Sequence, residues 1–88
     1  MMADLVVPLV GSIEGADGLT YSARVSARQD EDGRWTGWLE FEPTGGGQKL
    51  RTPQETIQPD RDDLEYWATG LSAIYLEGAL RRARESLS

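Results

Sequence analysis

Polar and apolar residues alternate strictly from Leu19 to Gln29: Leu19, Tyr21, Ala23, Val25 and Ala27 are apolar, and the residues between them are mostly polar. A period of two predicts a half-buried strand over 19–29. Residues 34–43 repeat the pattern, with Trp35, Gly37, Leu39 and Phe41 on one face and Thr36, Trp38, Glu40 and Glu42 on the other. Between them, Asp30-Glu31-Asp32-Gly33 predicts a hairpin loop with Gly33 at positive φ. The loop length sets the register. Val25 meets Leu39 and Ala23 meets Phe41 on the inner face, while Arg24 meets Glu40 and Ser26 meets Trp38 on the outer face. A slip of one residue would turn Trp35 and Leu39 into water.

Upstream, Leu5, Val7, Leu9 and Ile13 alternate inward in a strand over 4–14, and Pro8 suits an edge position because it has no N–H to leave unpaired. Downstream of the Gly45-Gly46-Gly47 turn, a short strand is expected over 48–52. Thr52-Pro53-Gln54-Glu55 has the pattern of a capping box and predicts a single helical turn over 53–58. Asp60 then caps a helix over about 60–86, with acids Asp62 and Asp63 at its start and Arg81, Arg82 and Arg84 near its end, an order that complements the helix dipole. The predicted fold class is α+β: an antiparallel β-meander of three to four strands followed by a long C-terminal helix packed on one sheet face.

Read as one continuous helix, residues 60–86 carry two apolar stripes. Leu64, Trp67, Leu71, Ile74 and Gly78 form the first and are expected to cover the sheet, with Gly78 allowing close approach to a strand. Ala73, Leu76, Leu80, Ala83 and Leu87 form the second, roughly 140–160° away. A helix on a single sheet needs one stripe, so the second predicts a homodimer interface through Ala73, Leu76, Leu80, Ala83 and Leu87. The alternative is that the last turns fold under the N-terminal strand or a loop, or fray. Gly70 lies off both stripes and has no explanation in the pattern.

Composition narrows the chemistry. The 88 residues hold no cysteine and no histidine, which removes disulfides, thiol nucleophiles, Ser-His pairs and ordinary zinc sites. The formal charge of -6 argues against nucleic acid or an anionic membrane as partner. The apolar run 5–10 is too short for a membrane span or a signal-peptide core, so the expected location is cytoplasmic. Asp30, Asp32 and Gly33 do not make a calcium loop, since Arg28 and Leu39 would fall at its two end ligands. Asp60, Asp62 and Asp63 are explained by the helix start, so no metal, cofactor or catalytic residue is expected.

Trp38 is the one aromatic on a polar strand face. It lies between Arg24 and Arg28, with Val6, Pro8 and Val10 reaching the same face from the neighbouring strand. Trp beside Arg is the usual composition of a binding hot spot, so Trp38, Arg24, Arg28, Val6 and Val10 are the candidate partner contacts. The structural alternative is a Trp shielded by arginine stacking.

Tyr21 to Leu80 resembles the layout of HicB-type antitoxins: a hairpin with Asp-Glu-Asp-Gly before an aromatic, then a helix ending Tyr75-Leu76-Glu77-Gly78. The chain departs from that layout in having a strand before the hairpin, none after the helix and no DNA-binding tail. The function expected from these features is a small acidic, non-enzymatic protein–protein interaction module, homodimeric through its helix. The alternatives are an antitoxin-like or inhibitory protein for a basic partner, and a small-ligand binder between helix and sheet.

Overall fold

The computed structural model describes residues 3–9 and 11–86. The chain forms β1 (Asp4–Pro8), β2 (Ile13–Glu14), β3 (Thr20–Gln29), β4 (Trp35–Pro43), β5 (Leu50–Arg51), β6 (Thr56–Gln58), α1 (Arg61–Thr69) and α2 (Ala73–Glu85). All six strands join one antiparallel sheet in the order β1-β3-β4-β5, with β2 also on β3 and β6 also on β4.

The central hairpin has the register its loop demands. Ala23 pairs with Phe41, Arg24 with Glu40, Val25 with Leu39 and Ser26 with Trp38. Gly33 takes φ 86°, and the Asp30 carboxylate accepts from the backbone N–H groups of Asp32 and Arg34, so this acid is consumed in closing the turn. The expected strand 4–14 is divided into β1 and β2, both paired with β3. Leu9 donates its N–H to Ala23 and Gln29 donates to Ala3, so alternate backbone groups of β1, Pro8 among them, face the free edge.

The segment after Arg51 is not the helical turn that its capping pattern suggests. Both side chains of the supposed box are engaged elsewhere. Thr52, 2 % exposed, accepts from the Leu39 N–H through Oγ1 at 3.0 Å and returns its own N–H to the Leu39 carbonyl. The Glu55 carboxylate accepts from the Tyr75 hydroxyl and from Arg82 on α2. The chain therefore stays on the edge of β4, shifts its register by two residues across Pro53 and Gln54, and resumes pairing as β6. The β-branched pair Thr56-Ile57 suits that continuation.

The predicted single helix is two. Gly70 closes α1, its N–H donating to the carbonyls of Tyr66 and Trp67, and Ser72 caps α2 by accepting from the Tyr75 N–H. This break accounts for the two stripes. Leu64 and Ala68 are the buried face of α1, and Leu76, Ala79, Leu80 and Ala83 are the buried face of α2. The angle between the stripes on a continuous helix is absorbed at residues 70–72, so both faces reach the same sheet. Leu76, Leu80 and Ala83 are 8, 2 and 0 % exposed within one chain, in a cluster with Tyr21, Val25, Leu39, Phe41 and Leu50. They are core, and the interface expected of them is corrected. Ala73 is exposed, and Leu87 lies outside the described residues. Ile74, expected against the sheet, is 81 % exposed. Gly78 does not face a strand either: a Cβ there would meet the Arg82 and Arg81 side chains.

A second, smaller cluster sets Leu64 on Ala27 and Trp35. A Cβ on Gly37 would lie 3.1 Å from Leu64 Cδ1 and 3.0 Å from the Thr56 methyl, so the missing side chain is what seats α1. Both helices lie on this one face, and no other described element covers the opposite face of the sheet. No helix among the described residues is long and apolar enough to cross a membrane.

Candidate functional site

The uncovered face is built from the alternate residues of each strand. One row crosses the sheet as Val6, Ser26 and Trp38, the next as Pro8, Arg24, Glu40 and Arg51, and a third as Asp4, Arg28, Thr36 and Ile57. Val6 is 55 % and Ile57 50 % exposed.

Glu40 organises the centre. Its Oε1 accepts from Arg24 Nε and Ser26 Oγ, each at 2.8 Å, and its Oε2 accepts from Trp38 Nε1 at 3.3 Å. Burial alone would raise the carboxyl pKa. The hydrogen bonds from Arg24, Ser26 and Trp38 outweigh that cost and hold it below its ordinary value. The Trp38 indole edge is thereby fixed, and its ring carries the Arg51 guanidinium 4.3 Å from the centroid.

Charge on this face is arranged in pairs. Arg24 also reaches Glu42, Lys49 reaches Glu42 and Arg28 reaches Asp4. Arg51 is the cation of this face with no carboxylate within ion-pair distance among the described residues. Among the described residues its guanidinium is held by stacking on Trp38.

The structure brings together most of the candidate contacts. Trp38, Arg24, Arg28 and Val6 share the face, while Val10 lies outside the described residues. The arginine on Trp38 is Arg51, because Arg24 and Arg28 are drawn aside by Glu40 and Asp4. Arg51 and Ile57 are members of the site that the sequence reading missed. Arg51 lay in the strand expected over 48–52, but its face was not followed, and the β-branched pair at 56–57 was hidden by the capping pattern that predicted a helical turn over 53–58.

The space between helices and sheet is filled by the two buried clusters. Cavities open at the periphery instead. One of about 470 Å³ lies between the β2–β3 turn and the end of α2, one of about 350 Å³ beside Tyr21 and Pro43, and one of about 420 Å³ at the helix break.

No protein-family model matches the chain, and no curated protein or solved structure matches it at a significant level. The HicB-type layout has the hairpin as expected, but the helix that it would end at Gly78 runs on to Glu85.

Proposed function

We propose that the protein is a small non-enzymatic protein–protein interaction module that pairs with a second copy of itself through the uncovered sheet face. The observation that carries this reading is Trp38, pinned by Glu40 on the solvent side of the sheet and stacked with an Arg51 that has no acid within ion-pair distance among the described residues. A side chain needed only for the fold gains little from such a place, whereas fixed Trp and Arg beside apolar Val6 and Ile57 suit a hot spot.

The charge pattern favours a second copy as occupant. Four bases, Arg24, Arg28, Lys49 and Arg51, share the face with three acids, Asp4, Glu40 and Glu42. Two such faces related by a two-fold axis can set each sign against the other. Four strands at ~4.8 Å spacing and up to ~30 Å length give a face of about 500 Å², hence on the order of 1,000 Å² buried in a pair, the low end for specific interfaces. The pair should therefore be weak and concentration-dependent.

Sedimentation equilibrium from micromolar to millimolar protein tests this. The mass should rise toward twice 9.7 kDa, and Arg51→Glu should abolish the rise while costing the fold no more than about 1 kcal/mol in urea, the penalty of a second acid opposite Glu40. A constant monomer mass, or association that Arg51→Glu leaves intact, refutes the reading.

A further inference from the structure

The break between α1 and α2 opens the crevice of about 420 Å³, lined by Gln58, Asp63, Tyr66, Trp67, Gly70, Leu71 and Tyr75. Its chemistry differs from that of the sheet face, and nothing in the pairing reading uses it. Three of its lining residues are aromatic and one is a carboxylate.

The Trp67 and Tyr75 rings stand at 88° to one another with centroids 6.3 Å apart, which gives two walls at right angles. Tyr66 is 82 % exposed. Asp63 uses its backbone N–H on the Asp60 cap, while its carboxylate has no hydrogen bond or ion pair among the described residues. Tyr75 is electron-rich for a reason visible in the structure: its hydroxyl donates to the Glu55 carboxylate at 2.5 Å, and Glu55 has only 8 % of its side chain exposed. Arg82, paired with Glu55, stands 5.5 Å from the Tyr75 centroid, so part of this ring already faces a cation and Tyr66 and Trp67 offer the freer faces. Gly70 lines the crevice at φ -94°, and a Cβ there would make ordinary contacts. Its backbone does not demand glycine, and a small side chain there would rest on the Tyr66 and Trp67 carbonyls at the crevice edge.

Aromatic faces carry negative potential and bind cations best when several converge beside a carboxylate. An uncharged apolar ligand would gain the contact area but would leave the free acid unpaired. We propose that this crevice is an organic-cation site, taking the alkylammonium head of a lysine side chain or of a small quaternary amine between Tyr66, Trp67 and Tyr75, with Asp63 as the counter-charge. The formal charge of -6 on the chain raises the local concentration of such cations.

The test is an NMR titration of the full chain, following the Trp67 indole N–H at fixed ionic strength. The probes are tetramethylammonium, choline, N-acetyl-lysine methylamide and its trimethyl form, with 3,3-dimethylbutan-1-ol as the neutral isostere of choline and potassium chloride as control. The expected result is a saturable shift with at least one cation and binding of the neutral isostere about tenfold weaker or more. Tyr66→Ala and Asp63→Asn alter exposed side chains, and each should weaken binding about two- to tenfold with the melting temperature lowered by no more than a few degrees, the loss expected from removing the Asp63 charge at the start of α1. Tighter binding of the lysine derivatives assigns the site to a protein side chain, and tighter binding of tetramethylammonium or choline assigns it to a free amine. No saturable shift at the Trp67 indole, equal binding of the neutral isostere, or variants that bind as wild type overturns the proposal.

Discussion

Replacing Leu80 by alanine removes a side chain that is 2 % exposed and packed within the main cluster. Its Cδ2 would lie 3.3 Å from a Cβ placed on Gly15, so the β2–β3 turn touches one side of it. Its other neighbours are core side chains held by the sheet and by α2, which limits how far they can move into the space left behind. A buried leucine lost to such a cavity costs about 3–4 kcal/mol. Against a total of roughly 5–10 kcal/mol for a domain of this size, that should lower the melting temperature by ten degrees or more. Ile74→Ala is the matched control: at 81 % exposure it should cost under about 0.5 kcal/mol. A single continuous helix would reverse the order, with Ile74 against the sheet and Leu80 between subunits. Urea unfolding of both variants, at two protein concentrations a hundredfold apart, separates the two arrangements. A Leu80→Ala loss below about 1 kcal/mol, or one that changes with protein concentration, would refute the intrachain assignment.

Three further outcomes follow. Gly37→Ala pushes a methyl against Leu64 Cδ1 and the Thr56 methyl, and calorimetry should show a loss of about 1–3 kcal/mol. Glu40→Ala leaves Arg24, Ser26 and the Trp38 indole without their shared acceptor. Ser26 is only 7 % exposed, so urea unfolding should show a cost of about 1–3 kcal/mol. The Tyr75 hydroxyl is raised from 10.0 to about 12, first by burial and then by its bond to Glu55. A folded-state value above the unfolded one means that this contribution to stability is complete below about pH 10 and is lost as pH rises toward 12. Titration of tyrosinate absorbance should show that late step, and Tyr75→Phe should reduce its amplitude by one tyrosine, since Tyr21, hydrogen-bonded to Asp17, is raised as well.

The sheet was legible where two signals agreed. In the central hairpin, alternation and loop length specify the same register, and Val25 and Leu39 meet as expected. Residues 52–58 misled because Thr52 and Glu55 have the identities of a capping box, while their partners, the Leu39 N–H, Tyr75 and Arg82, are distant in sequence. The helix break was visible only as an unexplained Gly70. Periodicity over 60–86 gives the phase of each stripe but not whether the axis is continuous, so one core with two helical faces looked like a core and an interface. Trp38 was identifiable by its place on a polar face. Its Arg51 partner was not, because the pairing of the short strand β5 with β4, which sets Arg51 opposite Glu40, is not specified by any turn length; the later register shift placed Ile57.

The claim on which the functional reading rests is that the uncovered face, not α2, meets the second copy. Isotope-filtered NOEs in a mixture of labelled and unlabelled chains at millimolar concentration test it directly. Intermolecular contacts from the Trp38 indole and the Val6 and Ile57 methyls are the expected result. Contacts confined to α2, or none between copies at all, would contradict it.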